Sequence, residues 1–186
     1  MRCALTFLAT VAFAAIAHAQ ENALPKPKLK DYAPDSVRVG WQYFAKGDYE
    51  EALRRFQIAI KLNADSAPGY YGIAYVYSVQ HKFDEAIKFY REAAQRDPSH
   101  ADTYANLGYA LMAKQQYPEA LQMLDKAIEL DPNCGDAYLH YANYYALKQD
   151  WTNVEQSVNK AVKCGKKIRP ELRKTLEEHG VKIEGG

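Results

Sequence analysis

Sulfur and tryptophan are scarce in this 186-residue chain, which holds three cysteines, three methionines and two tryptophans. No histidine falls at ligand spacing from Cys134 or Cys164, so no zinc ribbon or finger is expected, and no other metal site. Net charge is nearly absent at +1. A balanced chain has no long-range field for phosphate backbones or anionic lipid, which argues against a nucleic-acid partner. Apolar runs long enough to span a bilayer are missing, and the one apolar run at the N-terminus is too short. The motifs of catalysis are missing too. There is no HExxH and no glycine-rich phosphate loop, and His81, His100, His140 and His179 lie in no recognisable nucleophile motif. With no visible site, neither catalysis nor a cofactor is expected. The acid pairs Glu50-Glu51 and Glu177-Glu178 read as solvated helix faces.

What is present begins with MRCALTFLATVAFAAIAHA. A basic Arg2, an apolar stretch over 4–17 and the small residues Ala17 and Ala19 read as a cleaved signal, residues 1–19. The expected mature start is Gln20 and the expected compartment periplasmic or secreted, without stable membrane insertion. Cys3 sits too early to carry a lipid at the cleavage point. Removing the signal takes away Arg2 and leaves acidic and basic residues equal in number. From 20 to 33 the chain mixes proline, polar residues and Lys26, Lys28 and Lys30 without helical period, as an extended tether does.

The remainder repeats itself. At an offset of 34, Gly40, Ala74, Gly108 and Ala142 align, as do Tyr43, Tyr77, Leu111 and Tyr145, and Ala59, Ala93, Ala127 and Ala161. A further column holds Ala52, Ala86, Ala120 and Val154, followed four residues later by Phe56, Tyr90, Leu124 and Val158. Each copy carries two amphipathic stretches at helical spacing joined by a short polar turn, KGD at 46–48 or KQD at 148–150. Asp48 and Asp150 are placed to cap the second helix, and Pro118 sits where a first-turn proline is tolerated. Asp-Pro at 97–98 and 131–132 ends one unit and starts the next. After Lys166, a mostly polar segment with Pro170 near its start and Gly180 at its end predicts a terminal capping helix over 169–180.

These columns resemble the tetratricopeptide repeat, whose 34-residue signature is W-x2-L-G-x2-Y, then A-x3-F, then A and P. The third copy, ADTYANLGYALMAKQQYPEALQMLDKAIELDPNC, carries Leu107, Gly108, Ala120, Ala127 and Pro132 in register. The resemblance implies an all-α solenoid of about four helix-turn-helix repeats, approximately 33–66, 67–100, 101–134 and 135–168, plus the capping helix. Single pairs of this size cannot bury their apolar faces, so neighbours must stack. Copy four departs most, with Val154 and Val158 in the small-then-aromatic columns and Lys166 in place of proline. A terminal unit that packs no further repeat is expected to do so.

Cys134 and Cys164 flank the fourth pair at equal distance from its turn, so both arrive at the open end of the hairpin. In an oxidising compartment this predicts a disulfide; the alternative is two free thiols at an ordinary helix end.

Tyr70, Tyr77, Phe83 and Tyr90 fall on interior columns. Tyr71 and Tyr75 lie on the other side of the same helix. In the family this chain resembles, first helices line a concave groove that meets the ligand. Carried across, those columns give Val37, Trp41 and Phe44, then Tyr71, Tyr75 and Val79, then Ala105, Tyr109 and Met112, then Leu139, Asn143 and Leu147. The stripe is aromatic and aliphatic and carries no basic clamp for an acidic tail. Either these rings thicken the packing between first helices, or they form an interface. The expected function is a cell-envelope interaction module or scaffold holding an apolar or aromatic protein or peptide segment. The alternatives are self-association into a homo-oligomer through the same face and a tether that fills its own groove with Leu24 and Tyr32.

Overall fold

The computed structural model describes residues 33–168 and 170–183. Residues 1–19, expected to be a signal, lie outside the described residues, as does the tether except for Ala33, which opens the first helix. The described residues form an all-helical array: α1 Ala33–Ala45, α2 Tyr49–Leu62, α3 Ala67–Val79, α4 Phe83–Arg96, α5 Ala101–Ala113, α6 Tyr117–Leu130, α7 Gly135–Leu147, α8 Trp151–Lys163 and α9 Pro170–Glu178. The odd-numbered helices α1 to α7 start 34 residues apart, which is the sequence period made physical.

Local chemistry sets the ends. Asp48 and Asp150 cap α2 and α8, their carboxylates accepting from the backbone N–H of Glu51 and Asn153 at 3.1 Å each. Side-chain caps of this kind satisfy an orphan donor of the first turn. Between the helices of each pair, one residue takes a left-handed conformation: Gly47 at φ 79°, His81 at 59°, Gln115 at 61° and Gln149 at 57°. These positions too are 34 apart. Only one is glycine, so three of the four turns hold a side chain in a conformation that L-residues adopt at a cost.

Within each pair the two helices pack along their length, and α2, α4 and α6 each pass the chain to the following first helix. Consecutive first helices also approach one another, α1 to α3, α3 to α5 and α5 to α7, whereas α2, α4, α6 and α8 make no such approach to each other. The stack therefore curves with its first helices on the inside. Small residues permit the approach. Phe56 from α2 is fully buried and sits where α1 and α3 have no side chain: a Cβ on Gly40 or Gly72 would lie 2.6 Å or 2.5 Å from its ring. Burying such a ring contributes roughly 2–3 kcal/mol.

Tyr90, Leu111 and Leu124 are likewise sealed, in continuous clusters that run from one pair into the next. Tyr70, Tyr77 and Phe83 are half-buried. Arg96 ties pairs one and two together: its guanidinium lies 3.9 Å from the Tyr70 ring centroid and its Nε donates to the Ala64 carbonyl at 2.9 Å.

At the far end, Val154 and Val158 do face a neighbour. They pack with Leu176 and Val181, both buried, so the valines fill the space where α9 and its tail cover the last pair. Trp151 stacks on His179 with ring centroids 4.0 Å apart. Asn159 donates to the Lys182 carbonyl at 2.8 Å, and the Lys182 N–H donates to Glu155 at 2.9 Å.

The expected disulfide is absent, and this is a correction: Cys134 and Cys164 are both free thiols. The hairpin does bring them to one end, since a Cβ on Gly135 would lie 3.3 Å from the Cys164 Cβ. The thiols turn apart. Cys134 is buried toward α5, its Sγ donating to Asp102 at 3.6 Å, while Cys164 Sγ lies 4.0 Å from the Pro132 carbonyl. Burial pushes the Cys134 thiol up to about 11, so at neutral pH it holds its proton and little thiolate is present for exchange.

Candidate partner-binding groove

Three successive first helices present rings to the inner side of the curve. Trp41 is the hub, with ring centroids 5.5 Å from Phe44, 5.1 Å from Phe56, 6.0 Å from Tyr71 and 5.5 Å from Tyr75. Most of these pairs meet edge to face, the arrangement that the ring quadrupoles favour. One edge of Trp41 thus belongs to the core through Phe56, and the rest forms wall. The trough that Trp41 opens onto has a volume of about 1120 Å³, walled by Phe44, Tyr71, Tyr75, Tyr109, Asn106 and His140 among others. Two smaller clefts share the Trp41 wall. One of about 550 Å³ holds Val37 and Pro34, and one of about 210 Å³ lies between Trp41, Tyr71, Asp97 and Asp102.

Of the residues that the repeat columns assign to this face, Trp41, Phe44, Tyr71, Tyr75, Val79 and Tyr109 line the large trough, and Val37 lines its extension. All but Val79 are half-buried; Val79 and Leu147 are large apolar residues left open to solvent. Leu139 is half-buried and Asn143 exposed on α7. Ala105 and Met112 are instead sealed in the core. The first helices approach one another there, and the seam between them takes the side chains that the column places in the groove.

Two wall residues carry no role in the repeat signature. Asn106 and His140 occupy the same column 34 residues apart, a spacing that marks them as equivalents, but nothing in their types identifies them as groove residues. Asn106 donates from Nδ2 to the Tyr71 hydroxyl at 3.1 Å. Burial, reinforced by the nearby Asp102 carboxylate, drives the Tyr71 phenol well above the usual tyrosine range, so it remains protonated. His140 stacks on Tyr109 with centroids 5.0 Å apart and planes at 24°. Both of its ring nitrogens are buried and find no hydrogen-bond partner among the described residues. Burial holds the imidazole down to about 4, against a small opposing pull from Asp136, so the ring is neutral at physiological pH. Asp136 itself is engaged by Lys166 at 2.6 Å.

The residues named along this wall therefore offer flat apolar rings, amide and hydroxyl groups, and no cation. Among the described residues no cluster of three or more potential metal ligands exists, and no helix is long and apolar enough to cross a membrane.

Two family models described as tetratricopeptide repeat match the chain, over residues 40–101 and 79–150. No curated protein sequence matches it. Among solved structures, TTC0263, a thermophilic tetratricopeptide protein of Thermus thermophilus, is 25% identical, with a TM-score of 0.69 over 79% of this chain and 80% of that one. The pilF protein of Pseudomonas aeruginosa superposes with a TM-score of 0.69 at 21% identity, covering 81% of this chain and 68% of that one. The first such domain of Spaghetti (RPAP3), solved bound to the HSP90 peptide SRMEEVD, is 25% identical with a TM-score of 0.56, over 58% of this chain and 86% of that one.

Proposed function

Because the chain belongs to the tetratricopeptide repeat family, whose members are protein–protein interaction modules, we propose that it is an exported scaffold whose concave trough holds an apolar or aromatic segment of a partner protein. One observation carries this reading: rings from three consecutive first helices wall a single trough of about 1120 Å³. Tyrosine and tryptophan are the residues that concentrate binding energy at interfaces. A surface built from them at helix spacing suits a peptide laid along the curve.

The SRMEEVD complex of the Spaghetti domain supplies a precedent for the mode of binding, not for the ligand. Here the columns that would need a basic clamp are apolar, polar or aromatic. The chemistry visible in the trough is recognition rather than catalysis, which supports a non-enzymatic role. Export rests on the N-terminal pattern of residues 1–19; intact mass of the protein recovered from its own cell, beginning at Gln20, tests it.

The groove is tested by a photoreactive phenylalanine at position 75, cross-linked in the native cell, with partner recovery compared in a second protein that also carries Tyr109→Ala and Tyr71→Ala. Recovery of the same partner should fall at least tenfold while helicity is unchanged. Undiminished recovery refutes the groove. The rival reading, a homo-oligomer through the same face, is distinguished by sedimentation at low concentration: a stable dimer that shields Trp41 from solvent favours it.

A further inference from the structure

The 210 Å³ cleft at the amino-terminal edge of the trough has a composition that the rest of the wall lacks. Trp41 and Tyr71 form two of its sides, their rings inclined at 51° with centroids 6.0 Å apart. His100 closes it with its ring edge-on to Tyr71 at 5.2 Å. Asp97 and Asp102 stand at its rim. Asp97 accepts from the Ser99 N–H at 3.0 Å and its hydroxyl at 2.7 Å. Those two bonds hold its carboxyl below the usual range, and it stays ionised. Asp102 is exposed, and its carboxylate accepts from the Cys134 thiol at 3.6 Å. The adjoining cleft adds Asp65. The cation lining that cleft, Arg38, already faces Asp35 at 3.5 Å.

Away from this cleft the acids of the inward helices are paired: Asp35 faces Arg38 at 3.5 Å and Asp136 faces Lys166 at 2.6 Å, so the unpaired carboxylates gather at Asp97 and Asp102. The inward helices α1, α3, α5 and α7 bear Asp35, Asp102 and Asp136 against Arg38 alone, whereas the outward helices α2, α4, α6 and α8 carry acids and bases in equal number.

From this we infer that the groove selects a cationic segment: a peptide stretch with a lysine or arginine side chain seated in the cleft that Trp41 and Tyr71 line, its charge facing Asp97 and Asp102, and apolar or aromatic neighbours lying along Tyr75 and Tyr109. The inference rests on the groove reading above and adds the chemistry of the occupant. Three physical effects converge on it. A cation beside tryptophan and tyrosine is attracted wherever it meets the electron-rich face of a ring. Two carboxylates that line the cleft supply charge-assisted acceptors. A cleft lined by carboxylates and by no lysine or arginine also raises the rate at which an oppositely charged segment arrives. The same arrangement repels an acidic tail, so discrimination comes from an unfavourable contact as well as a favourable one. A volume of about 210 Å³ falls below the ~300–1,000 Å³ of pockets that enclose drug-sized ligands, and it suits one side chain of a longer ligand.

The experiment pans a phage-displayed library of random short peptides on the folded protein, at low and at physiological salt. Parallel selections use Asp97→Asn/Asp102→Asn, Asp102→Lys and Tyr75→Ala/Tyr109→Ala, each verified as folded by circular dichroism. The expected outcome is enrichment of Lys and Arg beside aromatic or aliphatic residues. A synthetic selected peptide should bind Asp97→Asn/Asp102→Asn about tenfold more weakly and lose binding to Asp102→Lys, with affinity falling as salt rises.

Selection of acidic or uncharged peptides, of no peptides at all, or of cationic ones indifferent to both Asp variants overturns the inference. In the first and last of these cases, loss of binding on Tyr75→Ala/Tyr109→Ala leaves the groove standing and removes only its charge preference. Peptides retained in full by that double variant refute the groove itself. A protein whose trough is already shielded by a second copy in dilute solution counts against both.

Discussion

Acidification should weaken this protein through His140 in a way that one substitution removes. The imidazole is packed between Tyr109 and its own helix, both ring nitrogens are without partners, and burial holds it down to about 4. In the unfolded chain a histidine titrates near 6.5. The group is thus depressed on folding: between pH ~6.5 and ~4 the unfolded state binds the proton and the folded state does not. Stability is full above the unfolded value and falls as pH drops through this window. Linkage between those two values gives a loss of about 2.5 kcal/mol on going from pH 7.5 to 4.5, from this group alone. The charges around it are Asp136 on the same helix, which pulls upward, and Lys166, which pushes downward and is itself paired to Asp136.

His140→Phe keeps the ring that stacks on Tyr109 and removes both unsatisfied nitrogens. At pH 7.5 it should be neutral or stabilising, since replacing an unpartnered buried polar group by an apolar one of similar shape leaves no lone donor or acceptor behind. At pH 4.5 its advantage over the native protein should be larger by about 2.5 kcal/mol than at pH 7.5. Urea denaturation of both proteins at the two pH values reads this double difference, and carboxylates common to both cancel. If the two proteins lose stability in parallel across that range, the imidazole is not held neutral by burial.

Three further expectations follow from the packing. Gln115 sits at φ 61° in an exposed turn; Gln115→Gly relieves a left-handed cost of about 1–2 kcal/mol and adds unfolded-state freedom of about 0.4–1 kcal/mol, so thermal denaturation should show a net gain of roughly 0.5 kcal/mol. Gly72→Ala brings a methyl to 2.5 Å from the fully buried Phe56 ring. An overpacking cost of about 1–3 kcal/mol should exceed the helix-propensity gain of about 1 kcal/mol, and chemical denaturation should record a loss. Asp150→Ala removes the cap of α8 and the 2.6 Å bond from Asn153 Nδ2. It should cost about 1 kcal/mol, with faster amide exchange concentrated in the first turn of that helix.

The fold was legible because the period is constant. Helices begin where the columns place them, Asp48 and Asp150 cap as their types suggest, and Pro170 and Gly180 bracket the last helix with its turn. Depth was not legible. Ala105 shares its column with Val37, Tyr71 and Leu139, and Met112 shares one with Phe44, all half-buried, and only the approach of α3, α5 and α7 decides that Ala105 and Met112 are sealed. His140 is not legible as a wall residue for a related reason: the ring it stacks on, Tyr109, lies nearly a full repeat away in the chain. The turn at 47 signals itself with glycine, whereas His81, Gln115 and Gln149 adopt the same backbone with no such mark. For the cysteines, helix lengths gave the right height on the hairpin, but the directions of the two thiols depend on Asp102 and Pro132, which periodicity does not encode.

Inner helices that touch while outer ones stand apart give the array the mechanics of a folding fan. The first helices act as its rivets, and the second helices, which do not touch one another, are each wedged against the first helix of the next unit. Opening the fan would therefore have to part each second helix from the first helix that follows it. An occupant spanning three units would pin the fan at one spread, and its departure would free it.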